Sequence, residues 1–206
     1  MATSSTLAIL PIPHAFVSLQ NLLAQGKRLR YLCQDETRLG LKTETGRVIT
    51  ARGIKPIVSV QWPREAFWLY GVVEPLAGWH FCQEYPHLDA ENFQKFLDAL
   101  SQELGDDMAL MQMDQASAHQ ALALSWPENL IPIFQPAHSP QLNPIERLWQ
   151  FIKRQFQGEN FSNLQALRQR VQHELAQMSC ELISSLTSYD FILEALFHEA
   201  LFYASS

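Results

Sequence analysis

Residues 89–114 read DAENFQKFLDALSQELGDDMALMQMD, and two structural periods meet inside this stretch. Phe93, Phe96, Leu97, Leu100 and Leu104 recur at three- and four-residue intervals, which predicts an amphipathic helix over Asp89–Leu104. Gly105-Asp106-Asp107 ends it. Met108–Met113 is then a short apolar run closed by Asp114, the pattern of a buried strand. Upstream the period is that of strands. Arg30–Glu36 reads as one strand, and Phe67–Val73 and Trp79–Glu84 as two more. The last two are joined by Glu74-Pro75-Leu76-Ala77-Gly78, a hairpin signal with a glycine in the loop. Residues 46–60, rich in Val, Ile and Thr and broken by Gly53 and Pro56, suggest extended chain with a turn.

Downstream, Ala118–Leu124 reads as a short helix and Leu130–Phe134 as a second buried strand. From Pro144 onward the chain reads as helical. Ile145, Leu148, Trp149, Ile152 and Phe156 form one apolar stripe, and Leu164, Leu167, Val171 and Leu175 another. Phe191–Tyr203 is helix-like and acidic. The order is three strands, helix, strand, helix, strand, then helices. It predicts an α/β fold: a mixed five-stranded sheet, three antiparallel strands followed by two from crossovers, flanked by helices on both faces. Residues 1–25 contain no Lys, Arg, Asp or Glu and read as a lead-in, with a short helix around Val17–Leu23. The expected organisation is a lead-in at 1–25, one domain at 26–178 and a helical extension at 179–206.

The 206 residues, 47% of them hydrophobic and 11% aromatic, belong to a folded chain with one good core. Three widely spaced cysteines (Cys33, Cys82, Cys180) suggest neither a zinc site nor a disulfide framework and fit a reducing cytoplasm. No apolar run approaches a membrane span, and the N-terminus lacks the basic start of a signal peptide. The net charge is −6, but it is unevenly spread. Residues 26–55 carry eight Lys/Arg against three Asp/Glu, and residues 147–170 carry five against one. Residues 56–146 and 171–206 are strongly acidic. The basic segments abut Asp35 and Glu146, a pattern that suits a polyanion as well as ordinary solvated surface.

Three carboxylates stand out. Tyr31, Cys33 and Asp35 share one face of their strand, so Asp35 and Glu36 cannot both face one site; Asp35 is the candidate. Asp114 ends an apolar run and must lie at a strand end near solvent, a metal or a partner, because an unpaired buried carboxylate is too costly. Glu146 follows Asn143-Pro144, a good helix start, at close to capping-box spacing. Each has a structural alternative: a turn for Asp35, a helix cap for Asp114 or Ser117, a capping glutamate for Glu146. Gln150, Lys153, Arg154 and Gln157 continue the polar face that starts at Glu146. Carboxylates are the ligands Mg²⁺ prefers, and two such ions can activate an attacking oxygen and stabilise a leaving one.

Gln34-Asp35-Glu36-Thr37-Arg38-Leu39-Gly40, Met113-Asp114-Gln115-Ala116-Ser117-Ala118-His119 and Ser139-Pro140-Gln141-Leu142-Asn143-Pro144-Ile145-Glu146-Arg147-Leu148-Trp149 resemble the three catalytic blocks of IS630-type transposases, of the IS630/Tc1/mariner superfamily. Gly46-Arg47, Gly53-Ile54-Lys55-Pro56 and Tyr70-Gly71-Val72-Val73 add to the resemblance. It implies an RNase H-like fold and a DDE site in which Asp35, Asp114 and Glu146 bind Mg²⁺, with Mn²⁺ a possible substitute, in a two-metal arrangement. The implied activity is cleavage of transposon ends followed by strand transfer into target DNA. Arg38, Lys42, Arg147, Lys153 and Arg154 are the candidate DNA contacts, and His119 occupies a family position. Gln115 stands where the family usually has Asn, and the 31 residues between Asp114 and Glu146 are slightly fewer than usual. Residues 1–25 are too short and uncharged for the helix-turn-helix region of such enzymes. The expectation is a catalytic half or remnant, acting as a homodimer or with a partner that supplies that region, in the cytoplasm and on the nucleoid when DNA-bound.

Overall fold

The computed structural model describes residues 26–42, 52, 63–115, 124–135 and 140–189. In chain order they form β1 (Leu29–Gly40), β2 (Ala66–Glu74), β3 (Trp79–Tyr85), α1 (Ala90–Leu104), β4 (Met108–Met113), β5 (Leu130–Phe134), one 3-10 turn at Pro140–Leu142, α2 (Ile145–Gln155), α3 (Leu164–Gln177) and α4 (Cys180–Thr187). The sheet order is β3-β2-β1-β4-β5. β1, β2 and β3 pair antiparallel; β4 and β5 join through parallel pairings, β4 to β1 and β5 to β4. This is the expected mixed sheet.

β1 is longer than its sequence pattern suggests and runs on to Gly40, because β2 pairs with it from Cys33 to Gly40. Its first half has a different neighbour: Leu29–Cys33 pair with Met108–Gln112 of β4. Cys33 is therefore where the parallel ladder with β4 ends and β1 continues with β2 alone among the described strands.

Alternation along β1 divides the core. Leu32 packs with Tyr70, Val72, Phe93, Phe96, Leu97, Leu100 and Met111 on the face covered by α1. Cys33 and Leu39 pack with Phe67, Leu69, Ile145, Leu148, Trp149, Ile152, Leu167, Val171 and Ile183 on the face covered by α2, α3 and α4. The apolar stripes read from the sequence are thus the buried faces of α1, α2 and α3. α1 starts on Asp89, whose carboxylate accepts from the Asn92 N–H at 2.8 Å. It stops at Gly105, which takes a positive φ of 57°.

The β2–β3 turn needs its glycine. Gly78 has φ +65°, and a Cβ there would fall 1.8 Å from the Cys180 carbonyl oxygen. The hairpin tip is pressed onto the start of α4, and Ile183 of α4 is fully buried in the shared core.

The lead-in, the extended chain of 46–60 apart from Arg52, most of the helix expected at 118–124, His119 and the stretch 191–203 lie outside the described residues. Among the described residues no helix is long and apolar enough to cross a membrane.

Candidate active site

Asp35 sits in the middle of β1, half-buried, on the face covered by α2. Directly across β2 its partner is Gly71. A Cβ on Gly71 would lie 2.5 Å from Cη2 of Trp149, so the missing side chain lets the indole lie against the sheet at that point. From there the indole Nε1–H donates to Asp35 Oδ2 at 2.9 Å.

Asp114 is the first residue past β4. The parallel register ends with Cys33 opposite Gln112, and Asp35 and Asp114 each lie two residues beyond that last pair. The carboxyl end of a parallel strand beside a change of neighbour is where open α/β sheets hold ligands.

Glu146 lies in the first turn of α2 and is half-buried. Asn143 does not cap this helix, contrary to its sequence pattern, and no side-chain cap bond closes the helix start. Its amide is used elsewhere: Asn143 Nδ2 donates to the Gln34 carbonyl of β1 at 2.7 Å. The first turn closes instead through Glu146 N–H to the Asn143 carbonyl at 3.2 Å.

The three acids act on one another. Burial, then the charges of Glu36 and Glu146, push Asp35 from an ordinary 3.8 up to about 8; the Glu36 N–H and the Trp149 N–H pull it partly back. Glu146 is also raised, mainly by burial; Lys153 opposes the rise and Asp114 adds to it. The electrostatic chain runs Asp35–Glu146–Asp114. Such a cluster resists full ionisation until a cation arrives. Its donors are all carboxylate oxygens, the chemistry that suits Mg²⁺ or Mn²⁺. Nearby Cys33 is pushed up to about 12 by burial and stays a neutral thiol. Among the described residues no three His, Cys, Asp or Glu side chains are arranged to hold one ion as they stand.

Glu36 points to the opposite face by alternation and accepts from Gln34 Nε2 at 2.8 Å. Of the five candidate DNA contacts, Lys153 is half-buried and acts electrostatically on Glu146. Arg154 is exposed on α2. Arg147 is exposed, with its guanidinium 4.2 Å from the ring centroid of Tyr189. Arg38 is exposed on the face away from Asp35 and donates to the Arg64 carbonyl at 3.1 Å; Lys42 is exposed just past β1. Part of the basic excess is internal. Arg30 is buried against Glu74 at 2.6 Å, and Arg168 and Arg170 pair with Glu84 and Glu159.

A profile of the DDE superfamily endonucleases matches residues 30–168, which span all three acids. The chain belongs to the DDE superfamily endonucleases. An uncharacterised protein of Sinorhizobium fredii, y4pE/y4sA, is 33% identical over 87 residues, 42% of this chain and 64% of that protein. Among solved structures, the Mos1 transposase paired-end complex with left transposon end superposes with a TM-score of 0.61 at 13% identity, covering 91% of this chain and 62% of that one. The Mos1 mariner paired-end complex with Mn gives 0.60 and the one with Mg 0.58. The fold of this DDE endonuclease is therefore that of an RNase H-like catalytic domain. The chain spans just under two thirds of the length of these relatives.

The sequence reading of this endonuclease took Trp149 as part of an apolar stripe and gave Gly71 no role at the site. Both carry a signal. Trp149 lies three residues after Glu146 and so shares its side of the helix, and a glycine inside an apolar strand marks close approach of another group.

Proposed function

We propose that this endonuclease domain is the catalytic domain of a DNA transposase of the IS630/Tc1/mariner type. Asp35, Asp114 and Glu146 would hold a pair of divalent ions, Mg²⁺ or Mn²⁺, which activate the attacking oxygen and neutralise charge on the leaving one. The observation that carries this reading is the convergence of three distant segments. Asp35 and Asp114 each follow the last pair of the β1–β4 parallel ladder by two residues, and Glu146, on a helix tied to β1, acts electrostatically on Asp35 and feels Asp114.

In the first reaction a water oxygen bonds to phosphorus at the transposon end, the P–O3′ bond breaks and the 3′ oxygen leaves as a hydroxyl. In the second, that hydroxyl bonds to a target phosphorus and displaces the target's own 3′ oxygen. The protein's part is to hold the phosphodiester in line, with Lys153 and Arg154 along α2 as backbone contacts and Arg147 at the lip. Arg38, on the far face, and Lys42, past the end of β1, would belong to a wider DNA track. The working assembly would be a homodimer, or a complex with a partner that supplies a helix-turn-helix region. Unpaired Cys33, Cys82 and Cys180 favour a cytoplasmic setting, with the nucleoid as the place of work.

The test is a cleavage and joining assay on element-end DNA with Mg²⁺ or Mn²⁺. Glu146→Gln keeps shape and removes charge; it should cost several kcal/mol of transition-state stabilisation, roughly 10³-fold in rate, while melting as the wild type does. Cleavage without joined product would make the chain a nuclease, and equal rates in wild type and Glu146→Gln would end the catalytic reading.

A further inference from the structure

The floor of the site is built of amides where a core would ordinarily be aliphatic. Gln112 precedes Asp114 by two residues and shares its face of β4. Its Oε1 accepts from the Tyr31 hydroxyl of β1. Its Nε2 donates to Gln135 Oε1, just past β5, at 3.2 Å and to the Leu142 carbonyl, just before α2, at 3.0 Å. Gln115, on the other side of Asp114, donates from Nε2 to the Gln135 carbonyl at 3.0 Å. Asn143, only 2% exposed, adds the bond from Nδ2 to the Gln34 carbonyl, one residue before Asp35.

Each of the three acids is thus flanked by a member of one network: Asp35 by the Gln34 carbonyl, Asp114 by Gln112 and Gln115, Glu146 by Leu142 and Asn143. The network is not optimal for stability. Asn143 Oδ1 is buried without a hydrogen-bond partner, and a buried orphan acceptor costs about 1–3 kcal/mol. Apolar side chains of the same size would pack there without that cost. What they could not do is fix direction, since apolar contacts slide and hydrogen bonds have angles. The start of α2 has no side-chain cap bond of its own; Gln112 and Asn143 tie it to the sheet, and one turn further on Trp149 adds its bond to Asp35.

We propose that Gln112 and Asn143 are positioning residues: together they clamp the start of α2 to β1 and β4 and set Glu146 against Asp35 and Asp114. The proposal rests on the metal-binding reading of those acids, and it predicts an effect on cation affinity beyond any effect on folding. Outer hydrogen-bond partners of metal ligands typically govern 10–100-fold in affinity.

The experiment is Mn²⁺ binding to the full chain, with no DNA, followed by water-proton relaxation, alongside thermal melts. Gln112→Met and Asn143→Ala should each weaken Mn²⁺ binding by about tenfold or more while still melting cooperatively, and the double variant should lose less than the product of the two. Leu97→Ala, in the core on the opposite face, should lower the melting temperature and leave Mn²⁺ affinity unchanged. If either amide variant does not fold, Tyr31→Phe removes one hydroxyl from the same network and should weaken binding in the same direction. Wild-type affinity in folded amide variants, with affinity lost in Glu146→Gln, overturns the positioning role alone. Equal affinity in wild type and Glu146→Gln overturns the acid-triad reading and this proposal with it.

Discussion

Asp35 carries the most consequential balance of forces in the chain. Its folded pKa of about 8 is above the ordinary 3.8, so between those values the cation-free folded state holds a proton that the unfolded state has released. The stabilising contribution is complete below pH ~4 and is lost as pH rises through about 8. Cation-free melting temperatures should therefore fall across that window, and Asp35→Asn should remove this part of the slope. Added Mn²⁺ should stabilise most above the window, where the carboxylate is already ionised. Trp149→Phe deletes the N–H that favours the ionised form. It should raise the Asp35 pKa further and shift metal binding to higher pH, with a stability loss of about 1–3 kcal/mol. Gly71→Ala reaches the same indole from below: its Cβ would sit 2.5 Å from Cη2, and overpacking of this kind costs about 1–3 kcal/mol. Melts of both variants separate the two contributions.

At the scale of the element, α2 has two jobs on two faces. Ile145, Leu148, Trp149 and Ile152 are buried, with Trp149 at the border next to Glu146, while Glu146, Lys153 and Arg154 line the polar side. If that side tracks a phosphate backbone, Lys153→Gln and Arg154→Gln should each weaken DNA binding nearly uniformly across sequences. Each should also lower the slope of log affinity against log salt by about one, measured by fluorescence anisotropy over a salt series. Lys153→Gln has a second effect, because Lys153 holds Glu146 down; losing it raises Glu146 further and weakens cation binding near neutral pH. Arg154→Gln should not.

At the scale of the molecule, both cores share one sheet. Phe96 of α1 and Leu148 of α2 are buried on opposite faces of β1 and β2. Phe96→Ala should cost about 3–5 kcal/mol and Leu148→Ala about 2–5. Because β1 and β2 contribute to both faces, each variant should shift a single transition, with far-UV circular dichroism and tryptophan fluorescence coinciding. Two separated transitions would show that the faces unfold independently.

The sheet, its strand types and the helical faces were legible in the sequence because they depend on period and punctuation: three- and four-residue spacing in α1, short, largely apolar runs in β4 and β5, a glycine loop between β2 and β3. Asp35, Asp114 and Glu146 stand out as candidates in the sequence mainly through their three motif blocks, since each residue alone also fits a turn or a helix cap. How these parts meet was not legible there. The length of β1 came from a neighbour, β2, pairing as far as Gly40. Asn143 has the pattern of a cap, yet a carbonyl 109 residues away takes its amide. The basic segments looked uniform until Arg30 was found buried against Glu74. Local pattern determines which elements form, because their energetics lie within a few residues. Only the tertiary structure decides which atoms share a hydrogen bond or a field, and for this endonuclease that is what brings three acids into mutual reach.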